Sequence, residues 1–212
     1  WLKGGKNMKI LYAASEAQPV AASGGLADVA GSLPKALVEE GHEACVVVPL
    51  YVNTIKQQWR DQMTYVTNFS VPVGWRNQYC GLFTAKINNV TYYFLDNEYY
   101  FKRDFGLYGY YDDAERYAFF SRAVLEMLKV IDFKPQIINS NDWQCALIPV
   151  YYSIFYRNDE KLWGIKNVFT IHNIQYQGRY GMEILEDVLG IPKHFASLME
   201  YDRDINLMKA AI

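Results

Sequence analysis

The sequence predicts an α/β fold built on a mostly parallel sheet, and three observations carry that prediction. First, a strand-like run, Lys9-Ile10-Leu11-Tyr12-Ala13-Ala14-Ser15, leads through a loop, Ser23-Gly24-Gly25-Leu26-Ala27-Asp28, into apolar residues at helical spacing: Leu26, Val29, Ala30, Leu33 and Leu37. Second, Gly41 closes that helix, and Ala44-Cys45-Val46-Val47-Val48 follows as an unbroken apolar run ending at Pro49. Such a run suits a strand covered on both faces, so a strand-helix-strand unit with a right-handed parallel crossover is expected. Third, a short strand ending in polar residues recurs twice: Gln136–Asn139 before Asn141-Asp142-Trp143, and Asn167–Ile171 before His172-Asn173.

Each further element follows from local pattern. Val66, Phe69, Val71 and Val73, then Tyr79–Lys86, then Val90–Leu95 read as strands, with Asn88-Asn89 as the hairpin turn before the last. Together they predict a β-hairpin excursion from the parallel sheet. Asp96–Tyr111 is aromatic and glycine-bearing without periodicity, and reads as a long surface loop. Glu115–Ile131 is an amphipathic helix with Arg122 as an exception on its apolar face, broken at Lys134-Pro135. Leu147–Phe155 and Met182–Leu189 are helical, and an apolar helix is expected from Asp204 to Ile212.

Composition narrows the function classes. The 212 residues are 51% hydrophobic and 21% charged, a globular balance with enough chain for one substantial core or two small domains. A net charge of −2 without a basic stripe argues against nucleic acid and anionic membrane as partners. No apolar run approaches the ~18 residues of a membrane span. Three cysteines, Cys45, Cys80 and Cys145, with no C-x-x-C pair, fit reduced thiols in a cytoplasmic protein. Residues 1–7 carry no signal-peptide pattern and read as a tag or an upstream linker, with Met8 opening a single domain over 8–212. The 18 tyrosines offer faces suited to sugars, although core filling explains most aromatic rings equally well.

In a parallel sheet, the glycine loop with Asp28, the Asp142-Trp143 pair and His172-Asn173 would all line one edge. Adjacent glycines let backbone approach a ligand, and the first N–H groups of the following helix suit an anion. Taken singly, each residue has a structural alternative. Asp28 could simply face the helix dipole, Asp142 could cap the next helix, and His172 could be a satisfied strand-end histidine. Metal chemistry is not indicated, because His42, His172 and His194 are scattered and no Cys–His cluster exists. There is no G-x-S-x-G elbow for a nucleophilic serine. A dinucleotide fingerprint fails as well, since Gly24-Gly25 has no third glycine in register and Pro49-Leu50-Tyr51 stands where an acid belongs.

The stretches Lys9–Glu16, Gly24-Gly25-Leu26-Ala27-Asp28-Val29, Leu33-Pro34, Asp96–Phe101, Asp142-Trp143-Gln144 and Phe169-Thr170-Ile171-His172-Asn173-Ile174-Gln175-Tyr176-Gln177-Gly178 together resemble the bacterial glycogen synthase and plant starch synthase family. That resemblance implies the N-terminal half of a two-domain GT-B glycosyltransferase, a Rossmann-like doubly wound sheet whose nucleotide-binding C-terminal half is absent here. It implies retaining transfer of glucose from ADP-glucose or UDP-glucose to the non-reducing end of an α-1,4-glucan, with no metal or cofactor. The implied partners are therefore the nucleotide sugar, the glucan and the missing half, in the cytoplasm or, for a plant-type source, a plastid. Carried over by motif, Ser23, Gly24, Gly25, Asp28, Tyr108 and Asn173 would bind substrate, while Asp142 and His172 would sit at the reacting centre. Two positions depart from the family pattern: Ala22 where many members carry Lys, and Asn139 where His is frequent. A glucan-binding domain without catalysis of its own, or another GT-B sugar transferase, is the alternative reading.

Overall fold

The computed structural model describes residues 7–212; residues 1–6 of the expected tag or linker lie outside the described residues. In chain order the elements are β1 (Lys9–Ala13), α1 (Gly25–Glu39), β2 (Glu43–Pro49), α2 (Gln57–Arg60), β3 (Thr64–Val73), β4 (Arg76–Ile87) and β5 (Val90–Asp96). They continue with α3 (Glu98–Phe101), α4 (Asp113–Met127), β6 (Ile137–Asn141), a 3-10 turn (Trp143–Cys145), α5 (Leu147–Tyr151) running into a π turn (Tyr152–Tyr156), and β7 (Lys166–Thr170). The C-terminal part holds β8 (Arg179–Tyr180), α6 (Ile184–Asp187), a 3-10 turn (Lys193–Phe195), α7 (Ala196–Met199), β9 (Glu200–Tyr201), β10 (Asp204–Asn206) and α8 (Leu207–Ala211).

The main sheet has seven strands in the order β3-β4-β5-β2-β1-β6-β7. From β5 through β2, β1 and β6 to β7 every pairing is parallel. Val46, Val47 and Val48 of β2 are fully buried, as an apolar strand covered on both faces must be. Helix α1 starts at Gly25 and ends before Gly41, whose φ of +91° suits only a residue without a Cβ.

The expected β-hairpin is present and continuous with the main sheet: β4 pairs antiparallel with β3 and β5, and β5 pairs in parallel with β2, Cys45 opposite Thr91 to Pro49 opposite Leu95. The reason is burial, since Val90, Tyr92, Phe94 and Leu95 pack in the core. Asn88 and Asn89, at φ +49° and +66°, do form the tight turn, with the backbone a two-residue hairpin needs.

The segment 96–111 is only partly a surface loop. It contains α3, capped by the Asn97 side chain accepting from Tyr100 N, and it buries Tyr100, Phe101 and Leu107. Its anchor is Arg116 of α4, fully buried, which donates to the carbonyls of Tyr100 (2.7 Å) and Leu107 (2.9 Å) and pairs with Asp113 (2.6 Å). That contact explains why α4 begins at Asp113 and runs to Met127, earlier than the apolar periodicity indicated. Arg122, the exception on its apolar face, lies over the Phe155 ring at 4.3 Å and donates to Tyr156 Oη at 2.6 Å.

At the C-terminus the expected helix from Asp204 begins as a strand. β10 pairs antiparallel with β8 and β9, and Asn206 then caps α8 by accepting from Lys209 N at 2.9 Å. The Met182–Leu189 helix shrinks to Ile184–Asp187.

Candidate functional site

β1, β6 and β7 lie side by side and run the same way, so the segments after them converge outside one sheet edge. There they line a cavity of about 850 Å³. The β1 side supplies Glu16, Ser23, Gly24, Gly25 and Leu26; the β6 side Asp142, Trp143 and Gln144; the β7 side His172, Asn173 and Tyr176. A fourth wall is Tyr108, Gly109 and Asp113.

The glycine loop is held by a residue the residue-by-residue reading did not assign. Glu16, 3% exposed, accepts from both the backbone N–H and the hydroxyl of Ser23, the latter at 2.7 Å. The glycines themselves serve the cavity more than the turn. Gly24 has φ −157°, ordinary extended backbone, and a Cβ on Gly25 would meet nothing within 4 Å. Side chains there would fill the cavity, not clash with the chain. No side chain caps α1 and the Ala27 N–H turns back to the Gly24 carbonyl, so the Gly25 and Leu26 N–H groups are the ones available to an anion at this place. Asp28 stands apart: it is exposed in the first turn of α1, where a carboxylate faces the helix dipole, and it does not line the cavity. Ala22 is exposed just ahead of Ser23.

Asp142 does not cap the 3-10 turn that follows it. Its backbone sits at φ +56°, ψ −179°, a conformation that costs a non-glycine residue about 1–3 kcal/mol. Its carboxylate oxygen Oδ1 instead accepts the backbone N–H of His172 at 2.7 Å and of Asn173 at 3.3 Å. A charged acceptor on two amides fixes the chain where it leaves β7.

The His172 ring is oriented by Asn141. The Asn141 Nδ2 donates to the carbonyls of Ala13 (3.0 Å) and Asn139 (3.2 Å), so Oδ1 is the atom that faces His172 Nε2 at 2.9 Å. An amide oxygen only accepts, so Nε2 is the donor of this pair. Nδ1 makes no hydrogen bond among the described residues. His172 is therefore tied at one nitrogen and open at the other. Asn139, at the position of the second family departure, accepts from Thr170 Oγ1 at 3.0 Å and ties β6 to β7.

Tyr108 closes the cavity from the α3–α4 side, its hydroxyl 2.7 Å from Ser15 Oγ and its ring 5.9 Å from Tyr117. Burial pushes its phenol well above the usual range, so it stays protonated. The neighbouring Gly109 N–H donates to Asp113 at 2.8 Å, which links this wall to Arg116. Burial also pushes the Cys145 thiol up to about 12, and Cys45 likewise, which removes both as nucleophiles near neutral pH. Among the described residues no three His, Cys, Asp or Glu side chains form a metal-binding group, and no helix is long and apolar enough to cross a membrane.

The structure thus brings together Ser23, Gly24, Gly25, Tyr108, Asp142, His172 and Asn173, and leaves out Asp28. Glu16, Asn141 and Asp113 went unassigned because their roles are contacts to residues 7, 31 and 3 positions away, as Glu16 to Ser23, Asn141 to His172 and Asp113 to Arg116.

A family model described as the starch synthase catalytic domain matches residues 9–212. The chain is 49% identical over 209 residues to a glycogen synthase of Exiguobacterium sibiricum and 48% over 208 residues to one of Clostridium botulinum; each match covers 97% of this chain and 43% of the relative. Among solved structures, the catalytic domain of starch synthase IV from Arabidopsis thaliana bound to ADP and acarbose superposes with a TM-score of 0.84 at 26% identity, over 97% of this chain and 43% of that one. The chain spans less than half the length of these relatives.

Proposed function

Because the chain belongs to the starch synthase catalytic domain family, we propose that it forms the N-terminal half of a retaining glucosyltransferase, one that moves glucose from ADP-glucose to the non-reducing end of an α-1,4-glucan. The observation that carries this reading is the cavity at the ends of β1, β6 and β7, where an uncapped helix N-terminus, an oriented histidine and a half-buried tyrosine face one space. The ADP found in the Arabidopsis relative favours ADP-glucose over UDP-glucose as donor.

In this reading the donor diphosphate lies against the Gly24-Gly25 loop and the N-terminus of α1, whose N–H groups favour negative charge. The bond between glucose C1 and the β-phosphate oxygen breaks, and the electron pair leaves with ADP. The acceptor 4-hydroxyl oxygen forms the new bond to C1, and its proton passes to the departing phosphate. Asp142 acts by holding the His172-Asn173 backbone in place, and His172 offers Nδ1 to a sugar hydroxyl. Fixed donors and acceptors of this kind need no reorganisation as charge develops. We assign no metal and no cofactor, and place the protein in the cytoplasm, where its three free, buried cysteines stay reduced.

A closed transfer site must hold the reacting atoms within ~3–3.5 Å of each other, and in this reading these 212 residues supply one side of the cleft that does so. The test is an assay with glycogen and each nucleotide sugar. A full-length protein carrying this half transfers glucose from ADP-glucose, whereas the 212-residue chain alone binds glucan weakly and transfers none. Turnover by the pure chain, or transfer from UDP-glucose alone, contradicts the reading.

A further inference from the structure

Gln144 lies in the cavity wall between Trp143 and the core, 8% exposed, on the turn that Asp142 begins. Its backbone carbonyl accepts from Ser121 Oγ at 3.3 Å, which seats the turn on α4. Its side-chain amide is different: Oε1 is sealed from solvent with no hydrogen-bond partner, and the amide makes no hydrogen bond among the described residues. A buried amide without a partner destabilises a fold, and an apolar residue of the same shape is no worse or better. Core packing therefore gives no reason for glutamine here. The cavity does.

We propose that Gln144 is a sugar-binding residue, its amide held unpaired for a hydroxyl of the bound carbohydrate. This rests on the glucosyltransferase reading of the cavity. An amide and a hydroxyl each carry a donor and an acceptor, so they match whether Nε2 or, after a half-turn of the amide, Oε1 faces the ligand. A phosphate would take Nε2 alone and, being anionic, is better served by a charged donor than by a neutral amide. The chemical class proposed is a hydroxylated sugar, whose source is either the glucan acceptor or the glucose of the donor.

The sign of the stability change separates this role from a structural one. In Gln144→Leu, and in Gln144→Met as a second apolar variant of similar length, the Tm of the 212-residue chain stays the same or rises, because an unpaired buried amide is removed. Calorimetric titration of each variant with maltoheptaose and, separately, with ADP-glucose then shows affinity for one of the two lowered roughly three- to tenfold, the value of one lost hydrogen bond. Loss for maltoheptaose alone places the hydroxyl on the acceptor; loss for ADP-glucose alone places it on the donor glucose. Unchanged affinity for both sugars overturns the inference, and so does a Tm lowered in both variants. If the unmodified chain binds neither sugar, the reading of the cavity itself fails, and this inference with it.

Discussion

Two segments flank the cavity and are held in opposite ways. The 97–113 segment is anchored from inside the core: Arg116, wholly buried, grips the carbonyls of Tyr100 and Leu107, pairs with Asp113, and lies 4.7 Å over the Tyr110 ring. The 171–178 segment is exposed along His172–Tyr176 and hangs on Asp142, which reaches over from the neighbouring strand. One wall is fixed by a buried ion pair and aromatic packing; the other is held at its start by Asp142, itself strained, and by Asn141, and at its end by backbone hydrogen bonds from Leu207 and Met208 to Gly178 and Gln177. The difference separates stability from chemistry. Losing the first anchor should unfold the wall, while losing the second should leave the fold and displace the groups that face substrate.

The largest effect expected on stability is at the first wall. Arg116→Met removes one partner of a buried pair and leaves Asp113 uncompensated, which costs about 3–5 kcal/mol. Denaturant unfolding of the chain should show it. A loss below about 1 kcal/mol would mean that the aromatic packing alone holds the segment.

At the second wall, Asp142→Ala and Asp142→Gly sharpen the contrast. Both lose the hydrogen bonds to His172 and Asn173, worth roughly 1.5–3 kcal/mol together with the carboxylate's charge. Glycine, however, relieves the strain at φ +56°, so Asp142→Gly should unfold at higher denaturant than Asp142→Ala, by about 1 kcal/mol. Transfer by the full-length protein should fall alike in both. Equal stability of the two variants would show that the strain is not stored there.

A smaller effect belongs to Tyr108→Phe, which loses the 2.7 Å contact with Ser15 Oγ at a cost of about 1 kcal/mol and keeps the ring. Glucan affinity should survive better in this variant than in Tyr108→Ala, as read by titration with maltoheptaose. The smallest effect is alkaline. Cys145 ionises near 9.0 when free and near 12 in the fold, because burial disfavours the thiolate. Its contribution to stability is therefore complete below about pH 9 and is lost progressively as the pH rises towards 12, since the unfolded chain gives up its proton first. Thermal unfolding at pH 8 and pH 10 checks the sign, with the lower Tm at pH 10.

What could be read from the sequence was what is local. Strand ends are visible in the chain, so the glycine loop, Asp142 and His172 could be set on one edge before any coordinates, because a parallel sheet leaves all its strand ends on the same side. What Asp142 binds could not, because its partners lie 30 and 31 residues away. Arg116 was invisible for the same reason: a lone arginine in a helical pattern says nothing of the two carbonyls it will meet. Asp28, beside the glycines in sequence, is exposed in the first turn of α1 and outside the cavity lining. The Asp204–Asn206 strand was read as helix because its apolar residues run on into α8, and only pairing with β8 and β9 separates the two.

The most direct measurement is His172→Ala in a full-length protein carrying this half, with glucose transfer to glycogen and thermal unfolding recorded on the same preparation. The side chain is exposed and its ring makes one hydrogen bond among the described residues, to Asn141. Stability should change by about 0.5–1.5 kcal/mol, while kcat/KM for ADP-glucose falls by about a hundredfold or more, the scale of one lost positioned group at a reacting centre. A Tm that falls in step with activity, or activity that persists without the ring, would contradict the placement of the chemistry at this sheet edge.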